Sequence, residues 1–254
     1  MVKLLQRNGA FSAFTPILCV AALVLAPGTA TGAPPGTPLD PALCAPDQNT
    51  FSLNIDNAYF PLRVGRVWVY TGKEQGQTIG LRITVLDETE RFYSGQDRII
   101  TRVVEELEWE DADGDGMVDD DELVIEVSRN YYAQTQDGTV CYFGEDVDIF
   151  NEDGTVTHEG AWRADDPGNA PGIFMPANPA VGMTFRQESA PGVAEDEATI
   201  VRSGSTVRVP AGTFTDTITV RDFNPLDRSK GTKVYAPRVG LIQDGPLTLV
   251  RVSG

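Results

Sequence analysis

Histidine is almost missing from this sequence: His158 is the only one in 254 residues. It stands in Thr157-His158-Glu159-Gly160-Ala161-Trp162, where a zinc-protease helix would need a second histidine at 162 and finds tryptophan. No Gly-x-Ser-x-Gly elbow, phosphate-cradling loop or dinucleotide fingerprint occurs. A glycosidase, which needs only two suitably spaced carboxylates, survives these exclusions. Basic residues are scarce too, 20 against 37 acidic, for a net charge of −17. Such a surface repels nucleic acid and anionic membranes and attracts divalent cations. The longest apolar run, Phe14 to Ala26, is thirteen residues interrupted by Pro16, short of the roughly 20 a spanning helix needs.

That run instead reads as the core of a secretory signal peptide over residues 1–33. Lys3 and Arg7 precede it, and the small residues Gly28, Ala30, Gly32 and Ala33 follow. Cleavage is expected after Gly32 or Ala33, giving an exported protein, periplasmic or extracellular, with no remaining membrane span. Loss of two basic residues takes the charge from −17 to −19. Of three cysteines, Cys19 leaves with the signal, and bulky Leu18 before it argues against a lipoprotein cysteine. Cys44 and Cys141 remain, and an isolated pair in an oxidising compartment reads as one disulfide.

The densest chemical signal is Asp111 to Glu122, Asp-Ala-Asp-Gly-Asp-Gly-Met-Val-Asp-Asp-Asp-Glu. Its carboxylates fall at loop positions 1, 3, 5, 9 and 12, with glycine at 6. This is the ligand spacing of a twelve-residue calcium loop, so Ca2+ is the expected ion. Gly116 permits the bend; Asp111, Asp113, Asp115, Asp119 and Glu122 offer carboxylates, and Met117 its carbonyl. The flanks differ from the helices of a true EF-hand. Leu123 to Tyr132 is β-branched and aromatic, hence a strand, and Arg98 to Trp109, which fits helical and strand spacing alike, is also read as one.

Two stretches echo each other. Phe60-Pro61-Leu62-Arg63-Val64-Gly65 matches Asn178-Pro179-Ala180-Val181-Gly182, Gly95 matches Gly212, and Tyr132-Ala133 matches Tyr235-Ala236. The offset is 117 residues at the glycines but 103 at Tyr-Ala, a difference of 14 that is close to the length of the acidic loop. An internal duplication with the loop inserted in one hairpin accounts for this, the second copy turning at Asn224 to Gly231. The expected organisation is an N-terminal extension (34–50) tied by Cys44, a first β unit (51–163), a Pro/Gly-rich connection (164–179) and a second β unit (180–254). The fold class is all-β, two related antiparallel meanders or half-barrels.

Several phrases carry a resemblance: Asn54-Ile55-Asp56-Asn57-Ala58-Tyr59-Phe60-Pro61-Leu62, Val140-Cys141-Tyr142-Phe143-Gly144-Glu145-Asp146, Pro210-Ala211-Gly212-Thr213-Phe214 and Tyr235-Ala236-Pro237-Arg238-Val239-Gly240-Leu241. Together they resemble a family of uncharacterised exported bacterial β-rich proteins. The half-unit resembles single-copy envelope proteins with curved sheets like those of lipoprotein carriers. The resemblance implies a β-rich envelope protein and brings no catalytic residues.

The functional expectation is a calcium-binding, non-catalytic binding or envelope-associated protein, with an apolar ligand in a curved sheet. Tyr132, Tyr142, Phe143, Trp162 and Phe174 are its candidate lining, with Tyr131 nearby, although aromatics in such strands also simply fill cores. A calcium-dependent secreted hydrolase is one alternative. A structural or assembly protein using calcium for rigidity, with another envelope protein as partner, is the other.

Overall fold

Runs of β-branched and aromatic residues broken by glycine and asparagine turns build an almost wholly β molecule. The structure is a computed structural model and describes residues 36–254 apart from Asp121 and Glu152. The expected signal peptide, Cys19 included, lies outside the described residues. Two short strands, β1 (Thr37–Pro38) and β2 (Phe51–Ser52), precede a meander of β3 (Val67–Glu74), β4 (Gln77–Ser94), β5 (Asp97–Glu110), β6 (Leu123–Thr135) and β7 (Val140–Phe150). Three short strands follow: β8 (Val156–Thr157), β9 (Trp162–Arg163) and β10 (Gly172–Met175). A second meander comprises β11 (Met183–Arg186), β12 (Glu197–Val209), β13 (Gly212–Phe223), β14 (Lys230–Ala236), β15 (Gly240–Asp244) and β16 (Leu247–Ser253). Both Arg98–Trp109 and Leu123–Tyr132 are therefore strand, and the acidic loop joins them as a hairpin tip.

The turns follow the local chemistry. Gln75 and Gly76, both with positive φ (49° and 90°), connect β3 to β4 as the two-residue turn that matches strand twist. The two meanders run in the same order and share entry contacts: Gly65 N–H donates to Val85 O (2.9 Å), and Gly182 N–H to Ile200 O (2.8 Å).

One continuous sheet results, because β16 pairs antiparallel with β3, Leu249 opposite Tyr70 and Val252 opposite Trp68. Its ends also meet. β10, drawn from the Pro/Gly-rich connection, pairs with β7, and just before it Ala170 N–H donates to Ser189 O at 2.9 Å, beyond the end of β11. At Gly172 a Cβ would fall 2.0 Å from the Gln187 carbonyl oxygen, so only glycine lets the two backbones touch. The sheet thus curls round a shared interior to which both meanders contribute.

Outside this barrel, Cys44 and Cys141 form a disulfide across 97 residues, with Cα atoms 5.7 Å apart and both residues fully buried. It pins the N-terminal extension to β7, beside Phe51 packed edge-on against Phe143 (5.2 Å). Asn57 secures the Asn54–Leu62 segment: its side-chain amide donates to Gly138 O (2.9 Å) and Pro176 O (3.0 Å), while Gln134 Oε1 accepts from the Asp56 and Asn57 N–H groups.

Candidate functional site

Two features have chemistry to offer, and they lie on opposite faces of β3. The first is the acidic loop. Asp111 follows directly on β5, its N–H donating to Thr78 O (3.0 Å), and it is fully buried. Gly114 and Gly116, with φ of 78° and 71°, reverse the chain so that ligand oxygens of Asp111, Asp113 and Asp115 come within 4.8 Å of one another. The loop is stitched by its own carboxylates: Asp111 Oδ1 accepts from Gly116 N–H (3.3 Å), Asp113 from Asp115 N–H (3.1 Å) and Asp115 from Met117 N–H (2.8 Å). Glu122 reaches back across the loop, its two oxygens accepting from Ala112 N–H (3.0 Å) and Asp119 N–H (3.2 Å).

This group could hold a metal ion. Its donors are hard oxygens, and one of them, on Asp111, is withdrawn from solvent. Of the expected ligands, Asp111, Asp113 and Asp115 form the cluster, while Glu122 engages backbone N–H groups and exposed Met117 and Asp119 lie further along the loop. The loop rests on the outer face of β3. Thr71 Oγ1 reaches Asp111 Oδ2 (3.5 Å), and a Cβ on Gly116 would sit 3.5 Å from a Val69 methyl.

The neighbouring residues Trp68 and Tyr70 point the other way, into the second feature. This is a cavity of about 190 Å3 inside the barrel, adjoining a second hollow of about 240 Å3 with which it shares Glu106, Glu126 and Asp244. Alternation places the lining: Val104 and Glu106 on β5; Glu126, Ser128, Asn130 and Tyr132 on β6; Lys233 and Tyr235 on β14. The Tyr132 and Tyr142 rings stack at 4.8 Å, and Phe60 and Phe174 meet above them at 4.5 Å between centroids.

The cavity is far from apolar. Six carboxylates line it, on Glu106, Glu126, Glu145, Glu188, Asp196 and Asp244, against one ammonium, on Lys233. Lys233 Nζ is itself held 3.2 Å from Asp222 Oδ2. Burial pushes Glu106 up to about 7 despite the pull of Lys233. Burial and then neighbouring Glu188 take Glu145 to about 8, and burial and then Asp196 take Glu188 to about 7. Glu126, Asp196 and Asp244 are raised by the same first cause.

Of the aromatic residues expected to line a ligand site, Tyr132, Tyr142 and Phe174 do so. Phe143 does not: it is buried against Phe51 and Phe92 near the disulfide. Trp162 stands behind the wall, edge-on to Tyr142 at 5.4 Å, and Tyr131 turns outward to donate to Asp146 (2.6 Å). The acidic lining escaped the sequence reading because inward carboxylates carry no label among 37 acidic residues. His158 sits 2.9 Å from Asp148 and 2.8 Å from Val147 O, on an exposed hairpin away from both hollows. No family model matches this chain, nor does any curated protein or solved structure.

Proposed function

We propose that this chain is an exported, non-catalytic binding protein that holds a small molecule inside its barrel, with Ca2+ in the acidic loop as a structural ion. The observation carrying the reading is the cavity itself: an interior walled by aromatic rings and polar side chains, in a molecule whose size would allow it a solid core. Export is supported by the Cys44–Cys141 disulfide and the leader-like N-terminus. The two meanders are read as descendants of one duplicated unit, in keeping with their common order and with the resemblance to exported β-rich proteins.

Calcium suits the loop because its spacing supplies several hard oxygens around a sharp glycine bend. When bound, the ion would neutralise clustered carboxylates. Asp111, Asp113 and Asp115 would hold it, and Glu122 would exchange its N–H partners for the metal. No described loop residue lines either hollow, so calcium would stabilise the wall from outside rather than gate the interior.

A hydrolase is the second reading, since inward carboxylates with raised pKa are what a general acid requires. Acid and nucleophile or base must nevertheless be pushed apart, and all six lining carboxylates move upward together.

The test uses Trp68, which lines the cavity, as a fluorescent reporter. Titration with small cationic, neutral and anionic compounds should give a saturable change for at least one class. Ser128→Phe, which fills the cavity, should abolish it. A response identical in the filled variant, or none from any class, would contradict an interior binding site.

A further inference from the structure

Resting on the binding-protein reading, we propose that the molecule held in the barrel is an organic cation, a protonated amine or quaternary ammonium, recognised by the Glu106 and Asp244 carboxylates together with the surrounding aromatic rings. The first ground is the charge imbalance. Six carboxylates face one lysine, and that lysine is already engaged by Asp222, which is not part of the lining. Deprotonated carboxylates in a closed space require a counter-charge, or they are forced to take up protons.

The second ground is that particular carboxylates are left waiting. Glu106 and Asp244 accept no hydrogen bond and form no ion pair through their side chains among the described residues, although both lie deep within the protein. Both keep partial accessibility and line the two adjoining hollows. A buried polar atom without a partner is costly, and a ligand N–H or ammonium removes that cost.

The third ground is the chemistry of the walls. Tyrosine and tryptophan rings present negative faces that attract a cation, most strongly when water is excluded. Trp68, Tyr70, Tyr132, Tyr142 and Tyr235 supply them. An anion would meet six carboxylates and one ammonium, Lys233, that Asp222 already engages. A wholly apolar guest would leave the carboxylates dry and unpaired, so the apolar ligand expected from the sequence fits poorly. A bare metal ion fits no better: among the described residues, the one group whose ligand oxygens lie within 4.8 Å of one another is Asp111, Asp113 and Asp115 on the outer face. Carboxylates line both adjoining hollows, Glu106, Glu126 and Asp244 being shared between them, so a guest in either meets negative charge.

Calorimetric titration of the exported protein in calcium, in mildly alkaline buffer, tests this directly. The probes are phenethylammonium and 1,4-diammoniobutane, matched against neutral 2-phenylethanol and 1,4-butanediol and against phenylacetate. One ammonium probe should bind one-to-one and more tightly than its neutral match. Glu106→Gln and Asp244→Asn should each weaken it by about tenfold or more, as loss of a charged hydrogen-bond partner does. Both substitutions relieve like-charge crowding and should leave thermal unfolding unimpaired. Neutral compounds binding as tightly as their ammonium matches would overturn the cation while leaving interior binding intact. Binding of none would overturn both, and affinity unchanged in both variants would place the probe elsewhere and overturn the proposal.

Discussion

Lys233 Nζ lies 3.2 Å from Asp222 Oδ2, and this pair sets the electrostatic character of the interior. Asp222 is almost entirely buried and lends its charge to the one ammonium of the cavity wall among the described residues, holding that ammonium firmly protonated. Glu106 and Asp244 are left without a hydrogen-bonded or ion-paired partner among the described residues. Lys233→Met should therefore strand a buried carboxylate. The expected loss falls somewhat below the roughly 3–5 kcal/mol of a fully buried pair, since the Lys233 side chain keeps 28% exposure. Denaturant unfolding of Lys233→Met, Asp222→Asn and the double variant would show it; additive single effects would deny the coupling.

The pH dependence of stability should run opposite to ordinary acid denaturation over much of its range. Glu106, Glu145 and Glu188 take up protons in the folded state near 7, 8 and 7, against 4.5 for an ordinary glutamate. The folded protein then binds more protons than the unfolded chain, and stability falls as pH rises through that window. It is fully present below pH 4.5 and lost as pH rises past about 8. Measured in chelator, so that metal binding does not intervene, stability should drop by several kcal/mol from pH 5 to 8, about 3 kcal/mol for each of the three groups if they titrate independently. A flat profile, or a rise, would show that these side chains are not desolvated as described.

Calcium should act on stability and leave the interior alone. An ion bound only by the folded state contributes about 2.7 kcal/mol at one hundred times its dissociation constant, or roughly 5–10 °C in a chain of this size. Thermal unfolding with calcium and with chelator should show that shift, and Asp115→Ala should remove it. The affinity of any interior probe should stay within about twofold between the two conditions. A large change would mean that the outer face of β3, where Val69 and Thr71 meet the loop, communicates with Trp68 and Tyr70 inside.

Closure of the barrel depends on Gly172. Its missing side chain allows the backbone to pass Gln187, whose carbonyl carbon and oxygen would lie 2.3 and 2.0 Å from any Cβ. Both atoms are backbone and cannot swing aside. Gly172→Ala should cost about 1–3 kcal/mol or more, the range of overpacked sites. Gly231→Ala, in extended backbone on β14 where a Cβ would meet nothing closer than Asp222 Oδ2 at 3.5 Å, serves as the comparison. Equal stability of Gly172→Ala and the parent would mean that the sheet ends do not meet.

Much of the frame was legible in the sequence, because it rests on local rules. Strand periodicity and glycine turns give the all-β class, two cysteines outside the expected leader give the disulfide, and the spacing of Asp111, Asp113 and Asp115 gives an acidic cluster that could hold a metal ion. The interior was not legible, and β5 shows why. Reading Val103, Leu107 and Trp109 as the strand's apolar face consigns Glu106 to solvent. In the barrel, Trp109 is buried over Gly80 on the outer face, a Cβ there falling 2.3 Å from the indole, while Glu106 and Glu108 face the hollows. On β6, Glu126, Ser128 and Asn130 likewise look like a solvent stripe, though they continue into Tyr132 in the cavity wall. Only closure of the sheet by Gly172 and the β16–β3 pairing decides which face is inside, and that contact is non-local.

A crystal structure of residues 34–254 grown with calcium and phenethylammonium is the most direct test of the whole account. The account predicts density for the amine inside the barrel, its nitrogen within hydrogen-bond distance of Glu106 or Asp244, and a metal ion among Asp111, Asp113 and Asp115 outside β3. An interior holding only water, or an amine bound solely on the outer surface, would contradict it.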